Sequence, residues 1–241
     1  MKNLFLYFLI AFTFLSCAVS EPKNGQELIK SMYERYNGDW YKTLTFKQAT
    51  IYYNAEEKIA RKQTWFEAML LPNSLAIKFD SITSGNGIVF KNDSIFTFNA
   101  GKMTPPRKLY HPLLILGFSV YAQSPEKTIE DLTQLKIDLS KITTTTWQGK
   151  ENYVIGDEKA THFFIEKERL LFTKIIQQGR GNSINETQFN KYQPLQNGWI
   201  SPEVLFFTNG KMTLKEIYSD IDTPELSNEV FDVNQFEKAK W

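Results

Sequence analysis

Apolar and polar positions alternate with a period of two through residues 63–99, in four short runs separated by turn signals. That pattern predicts two consecutive β-hairpins. Thr64, Phe66, Ala68 and Leu70 alternate with Trp65, Glu67 and Met69 ahead of Leu71-Pro72-Asn73-Ser74. Proline has no N–H to give a ladder, so the corner falls at Pro72. In the next run Leu75, Ile77 and Phe79 point one way, and Ala76, Lys78 and Asp80 the other. After Ser84-Gly85-Asn86-Gly87 come a run at 88–91, a turn at Asn92-Asp93, and a run at 94–99 with Phe96 and Phe98 on one side. If the large apolar residues of these strands share one face, it must be covered by helices, a second sheet or a ligand.

Elsewhere the period changes. Residues 25–36 place Leu28, Ile29, Met32, Tyr33 and Tyr36 on one helical stripe, with Asn37-Gly38 as the left-handed stop. Residues 43–53 return to alternation, with Phe46, Gln48, Thr50 and Tyr52 against Lys47, Ala49, Ile51 and Tyr53. Pro105-Pro106 and His111-Pro112 bracket a connector, and residues 113–121 are apolar nearly all round. Such a segment is buried or plugs something, and it is too short to span a bilayer. Ser124-Pro125 reads as an N-cap followed by proline at the first helical position, with Ile129, Leu132 and Leu135 on the apolar side. Seven further strands are expected at 142–147, 152–155, 161–166, 170–178, 184–192, 200–207 and 213–220, joined at Gln148-Gly149, Gly179-Arg180-Gly181-Asn182, Asn197-Gly198 and Asn209-Gly210. Short turns make neighbours antiparallel. The expected fold is mainly β: one curling antiparallel meander of about 11 to 12 strands, with helices at its start and middle.

At 241 residues the chain can bury a core without disulfides or metals. Basic and acidic residues number 28 and 27, and loss of Lys2 with a leader makes them equal. A neutral protein lacks the basic field that holds nucleic acid, so nucleic acid is not an expected partner. The single cysteine, Cys17, ends a stretch that opens Met1-Lys2-Asn3, runs apolar through residues 4–15 and closes Ser16-Cys17-Ala18. A basic start and an h-region of about a dozen residues read as a secretory leader, residues 1–20, ahead of a single domain at 21–241. Two cleavage readings stay open. Ser16-Cys17 resembles a bacterial lipoprotein box, which would make Cys17 a lipidated N-terminus, while Ala18-Val19-Ser20 offers an ordinary site releasing a chain that starts at Glu21.

Catalytic chemistry is thin in this sequence. His111 precedes a proline, His162 stands in a strand beside Phe163 and Phe164, and no thiol accompanies them, so neither a metal site nor a Cys-His nucleophile is expected. Glu67 is the one carboxylate in an apolar, aromatic strand. It is either a general base with a raised pKa, or a rim carboxylate paired with a cross-strand cation. The glycine loops lack the following helix that would hold a phosphate. No cofactor and no enzymatic activity are expected.

The order of parts resembles the LolA/LolB-type outer-membrane lipoprotein-sorting family. The resemblance rests on the helix at 26–36, Thr45-Phe46-Lys47-Gln48, the strands around Leu71-Pro72-Asn73-Ser74-Leu75, Lys91-Asn92-Asp93-Ser94-Ile95-Phe96, the mid-chain helical insert, and Leu226-Ser227-Asn228-Glu229-Val230-Phe231-Asp232. It implies a half-barrel with helices over the concave face and an acyl-chain cavity, here expected at Met69, Leu71, Leu75, Ile77, Phe79, Phe96, Phe98, Leu113, Leu116 and Phe118. It also implies a monomeric carrier in the periplasm or outer membrane of a Gram-negative bacterium, receiving acyl chains of lipoproteins or other lipids from donor proteins and passing them to acceptors. The alternative on the same fold is an envelope sensor or interaction module. Leu71 stands where the family has a basic residue that helps hold the lid, so no cationic latch is expected.

Overall fold

The computed structural model describes residues 21–36 and 39–241. Cys17, its leader and the expected stop at Asn37-Gly38 lie outside the described residues.

Helix α1 (Gly25–Tyr36) buries Leu28, Ile29, Met32 and Tyr36 as the stripe requires. Its start is capped reciprocally: the Glu27 amide donates to Asn24 Oδ1 at 2.9 Å, and the Lys23 amide donates to Glu27 Oε2 at 2.8 Å. Strands β1 (Thr43–Tyr53), β2 (Ile59–Leu70), β3 (Ser74–Phe79), β4 (Gly87–Lys91), β5 (Ser94–Asn99), β6 (Lys102–Met103) and β7 (Arg107–Lys108) follow. The mid-chain insert is α2 (Pro112–Gly117), a 3-10 turn at Ser119–Tyr121, and α3 (Pro125–Gln134), whose N-cap Ser124 Oγ accepts from the Lys127 amide at 3.3 Å. Then come β8 (Ile142–Trp147), β9 (Lys150–Gly156), β10 (His162–Glu166), β11 (Leu171–Gln178), β12 (Ile184–Asn190), β13 (Gln193–Leu195), β14 (Gly198–Ile200), β15 (Glu203–Thr208), β16 (Lys211–Asp222) and a last 3-10 turn, Asn228–Phe231.

The strands form one large curved antiparallel sheet that does not close, as expected for a half-barrel. It holds 14 strands, with β13 and β14 as a separate hairpin. The count exceeds the expected one because short pairs such as β6 and β13 carry no alternation to read, and because Ser201-Pro202 splits the run at 200–207 into β14 and β15. Asn92-Asp93 and Asn209-Gly210 have positive φ at both central residues, the mirror-image turn that matches strand twist.

The sheet is not the simple meander expected. Its order is β6-β5-β4-β3-β2-β1-β16-β15-β12-β11-β10-β9-β8, so the first and last long strands pair at its centre, Gln48 opposite Tyr218. Two meandering arms run outward from that joint.

Both faces of the first arm are covered. One faces the core shared with the second arm, in which Met69, Leu75, Ile77, Phe90, Leu116 and Phe172 lie together with apolar residues of α1, α2, the mid-chain 3-10 turn and α3. On the other face Ala68, Ala76, Val89 and Phe98 pack beneath residues 226–241, chiefly Val230, Phe231 and Phe236. This corrects the common face expected for Phe96 and Phe98. In register Leu75 lies opposite Phe90, and Phe90 opposite Ile95, whereas Ala76 lies opposite Val89, and Val89 opposite Phe96. Phe96 and Phe98 therefore belong with Ala76, away from the helices. Lys78, on the same face as Ala76, is wholly buried there, with Nζ donating to the carbonyls of Ala239 at 2.7 Å and Glu237 at 3.3 Å.

Candidate functional site

Between the helix-bearing face and α2 lies a cavity of about 240 Å³. Met69, Leu75 and Ile77 form part of its floor, and Leu113, Leu114 and Phe118 its cover. Five of the expected cavity residues thus meet. Leu71 borders a small adjoining void at the β2–β3 corner with Leu75, Phe118 and Ser119. Leu116 is fully buried in the core beyond the lining, and Phe79 sits half-buried against the Trp65 ring, centroids 5.0 Å apart. Phe96 and Phe98 are not part of it, for the reason given above.

Alternation explains the floor. Trp65, Glu67 and Met69 point toward the helices, with Glu67 opposite Phe46 on β1 and Ile77 on β3. Gly117 lets α2 come close to β12, since a Cβ there would stand 2.7 Å from the Phe189 ring. The cover is also fastened by polar contacts. Ser119 Oγ donates to the Pro72 carbonyl at 2.5 Å, at the corner that holds Leu71, and the Phe172 amide donates to Tyr121 Oη at 2.9 Å.

The cavity is not purely apolar. Gln48, Glu67, Glu216, Tyr218, His111 and Trp65 also line it. Glu67 is only 4% exposed, and among the described residues no hydrogen bond or ion pair engages its carboxyl group. That removes the rim-pair reading: burial, and secondarily the charge of Glu216, push its pKa well above the carboxylate range. Glu216 is pushed up to about 7 by burial, against the hydrogen bonds of Tyr218 and Gln48 that favour its charge. Tyr218 Oη donates to Glu216 Oε2 at 3.1 Å, and Gln48 Nε2 donates to Thr50 Oγ1 at 2.9 Å. Burial lowers the His111 pKa to about 4, so its ring is neutral at physiological pH, and among the described residues its Nδ1 has no partner. Trp65 Nε1 also lacks one. His162, by contrast, is a packed strand histidine whose Nδ1 lies 2.9 Å from the Ala160 carbonyl.

These groups can hold or release protons, but none is aligned with a nucleophile. Among the described residues no three of His, Cys, Asp and Glu converge as a metal site. Alternation had already marked Gln48 and Thr50 as sharing a face with Phe46; Glu216 and Tyr218 carry no such signal, because only the pairing of β1 with β16 brings them in. A larger cleft of about 600 Å³ opens beside α1, and four of the charged side chains that line it pair with each other. Lys167 pairs with Glu21 at 2.7 Å and Lys150 with Glu166 at 3.4 Å.

The raised pKa of Glu216 has a measurable sign. Its folded pKa lies above the unfolded value, so the folded state holds the extra proton between about pH 4.5 and 7, and stability falls across that window as pH rises. Replacing Glu216 with glutamine should flatten that fall by about 3 kcal/mol, read from urea denaturation at pH 4.5 and pH 8. An unchanged slope would mean that the carboxyl is solvated.

No family model matches the chain, and no curated protein matches it. Solved structures do. A domain described as an outer membrane lipoprotein-sorting protein from Vibrio parahaemolyticus superposes with a TM-score of 0.58 at 13% identity, covering 88% of this chain and 98% of that one. A DUF1329 family protein from Desulfovibrio piger gives 0.57 at 13%, covering 86% and 95%. A LolA superfamily protein from Nitrosomonas europaea gives 0.56 at 11%, covering 85% and 97%. Identities this low speak for architecture alone, and on that ground the chain has the LolA-like fold: an open, curved antiparallel sheet with helices on one face.

Proposed function

We propose that the protein is a cell-envelope carrier that shields acyl chains of lipoproteins or other lipids in the cavity under α2, without a chemical step. The observation that carries this reading is the cavity itself, walled by Met69, Leu75 and Ile77 below and by Leu113, Leu114 and Phe118 above. Its cover is a distinct segment joined to the sheet by few polar contacts. Each buried methylene contributes about 0.8 kcal/mol, so even part of an acyl chain gives useful affinity. About 240 Å³ is less than the roughly 300 Å³ usual for a drug-sized site, so a whole chain requires α2 to move outward.

The test is binding of a fluorescent fatty-acyl probe. Leu113→Glu places a carboxylate in the cavity wall at a partly exposed position that tolerates it for folding. Probe affinity should drop at least ten-fold, about 1.4 kcal/mol or more, with an unchanged circular dichroism spectrum. If the variant binds like the parent, the cavity is not the working site, and a partner protein on the same fold becomes the better reading.

The carrier would act in the periplasm or at the outer membrane of a Gram-negative bacterium, between donor and acceptor proteins. Among the described residues no helix is long and apolar enough to cross a membrane. Anchorage is assigned to a lipid on Cys17, and Cys17→Ser should move the protein from membrane to soluble fractions. Unchanged fractionation, with a mature chain starting at Glu21, would point to a freely diffusing carrier.

A further inference from the structure

We infer that the cavity selects amphiphiles whose polar end is an amine, held by the carboxylate of Glu67 and the unpartnered Nδ1 of His111. The inference rests on the binding reading above and adds the chemistry of the head group.

A cavity meant only for hydrocarbon has no use for a buried carboxyl. Glu67 is 4% exposed, lines the space, and has no hydrogen-bond or charge partner among the described residues. Leaving such a group unpaired is costly in the empty protein, and that cost is relieved by a ligand that supplies the missing partner. Across the floor stands a second carboxyl, Glu216, and among the described residues no lysine or arginine lines the cavity. Anionic head groups therefore find no cation to receive them, and above about pH 7 they meet the charge of Glu216. An ammonium group meets the reverse situation. It brings donors only, and it faces acceptors on Glu67 and on the neutral ring of His111. The Trp65 N–H is an unpaired donor beside them, and a ligand oxygen or a water can occupy it.

Size fits as well. About 240 Å³ holds roughly eight methylene-sized or water-sized groups at about 30 Å³ each, which suits an octyl chain. Proton balance follows from the raised pKa of Glu67. An ammonium that binds its carboxylate displaces the carboxyl proton to solvent, so amine affinity rises with pH while the amine stays protonated. The titratable groups facing that event are Glu67 on β2, Glu216 and Tyr218 on β16, and His111 ahead of α2.

The experiment compares n-octylamine, 1-octanol and octanoate on the whole protein by titration calorimetry, with tryptophan fluorescence as a second readout through Trp65. Octylamine should bind at least ten-fold more tightly than octanol at pH 8, and octanoate more weakly than either. Glu67→Gln should erase the difference between amine and alcohol. Because that variant changes a buried group, the parent protein supplies an independent arm: the amine-to-alcohol ratio should grow between about pH 6 and pH 9. Octanol binding as tightly as octylamine, octanoate binding as tightly as octylamine, or a ratio flat with pH would each overturn the inference while leaving acyl binding intact. Failure of all three probes to bind would overturn both.

Discussion

Replacing Phe236 with alanine will lower unfolding stability by about 3–5 kcal/mol, measured by urea denaturation. Phe236 is 1% exposed and stacks on Phe98 with centroids 4.0 Å apart and planes within 8°. Lys78 Nζ sits 5.1 Å from the centre of the same ring. Gly87 makes room for it, since a Cβ there would lie 2.7 Å from the ring edge. Truncation to alanine therefore opens a cavity, removes an aromatic pair and loosens the cover over a buried ammonium. Deleting residues 226–241 should go further. It would expose Ala76, Val89 and Phe98 and strip Lys78 of both carbonyl acceptors, so we expect a chain that aggregates instead of folding. A loss below about 1 kcal/mol for the point variant would show that this segment does not seal the sheet.

The second large effect is expected at Tyr121, where the mid-chain insert is nailed to the core. Its ring stacks on Trp40 with centroids 4.1 Å apart, meets Tyr36 edge-on at 5.4 Å, and its hydroxyl accepts from the Phe172 amide at 2.9 Å. Tyr121→Ala should cost about 3–5 kcal/mol locally, as for other large buried aromatics. Tyr121→Phe keeps the ring but leaves a buried N–H unpaired, for about 1–3 kcal/mol. If the cover opens as a unit, hydrogen exchange at residues 112–121 will accelerate by more than the global stability of Tyr121→Ala would require. Equal losses, local and global, would mean that the cover moves only when the whole domain unfolds.

The strands were legible wherever one side of the ladder was wet. β1 falls on the expected residues because its alternation is clean, β8 because threonine and tryptophan favour a strand, α1 follows its stripe, and α3 its stripe and N-cap. Legibility fails where both faces are dry. β3 is buried on five consecutive residues, so nothing in its pattern tells which face is the covered one, and the phenylalanines of β5 read as partners of Leu75. The covering segment has no period to betray it: Leu226, Val230, Phe231 and Phe236 are spaced like neither helix nor strand. In the site, the apolar half was readable because it lies on adjacent hairpins. Glu216 and Tyr218 were not, since they reach the cavity through a strand pairing that spans nearly the whole chain.

That same central pairing sets the order in which the molecule can assemble. Hairpins of the two arms join residues close in sequence and need little loop closure, whereas Ile51 must find Lys215 across almost everything between them. Until β16 is available, β1 is a long strand with one bare edge, able to pair with any other extended segment. Such high contact order places the domain among slow folders, with a rate governed by the central joint, not by the hairpins. A chain released without its last thirty or so residues would lose β16 and leave two sticky half-sheets, so the C-terminal strand acts as the keystone on which commitment to the native state depends.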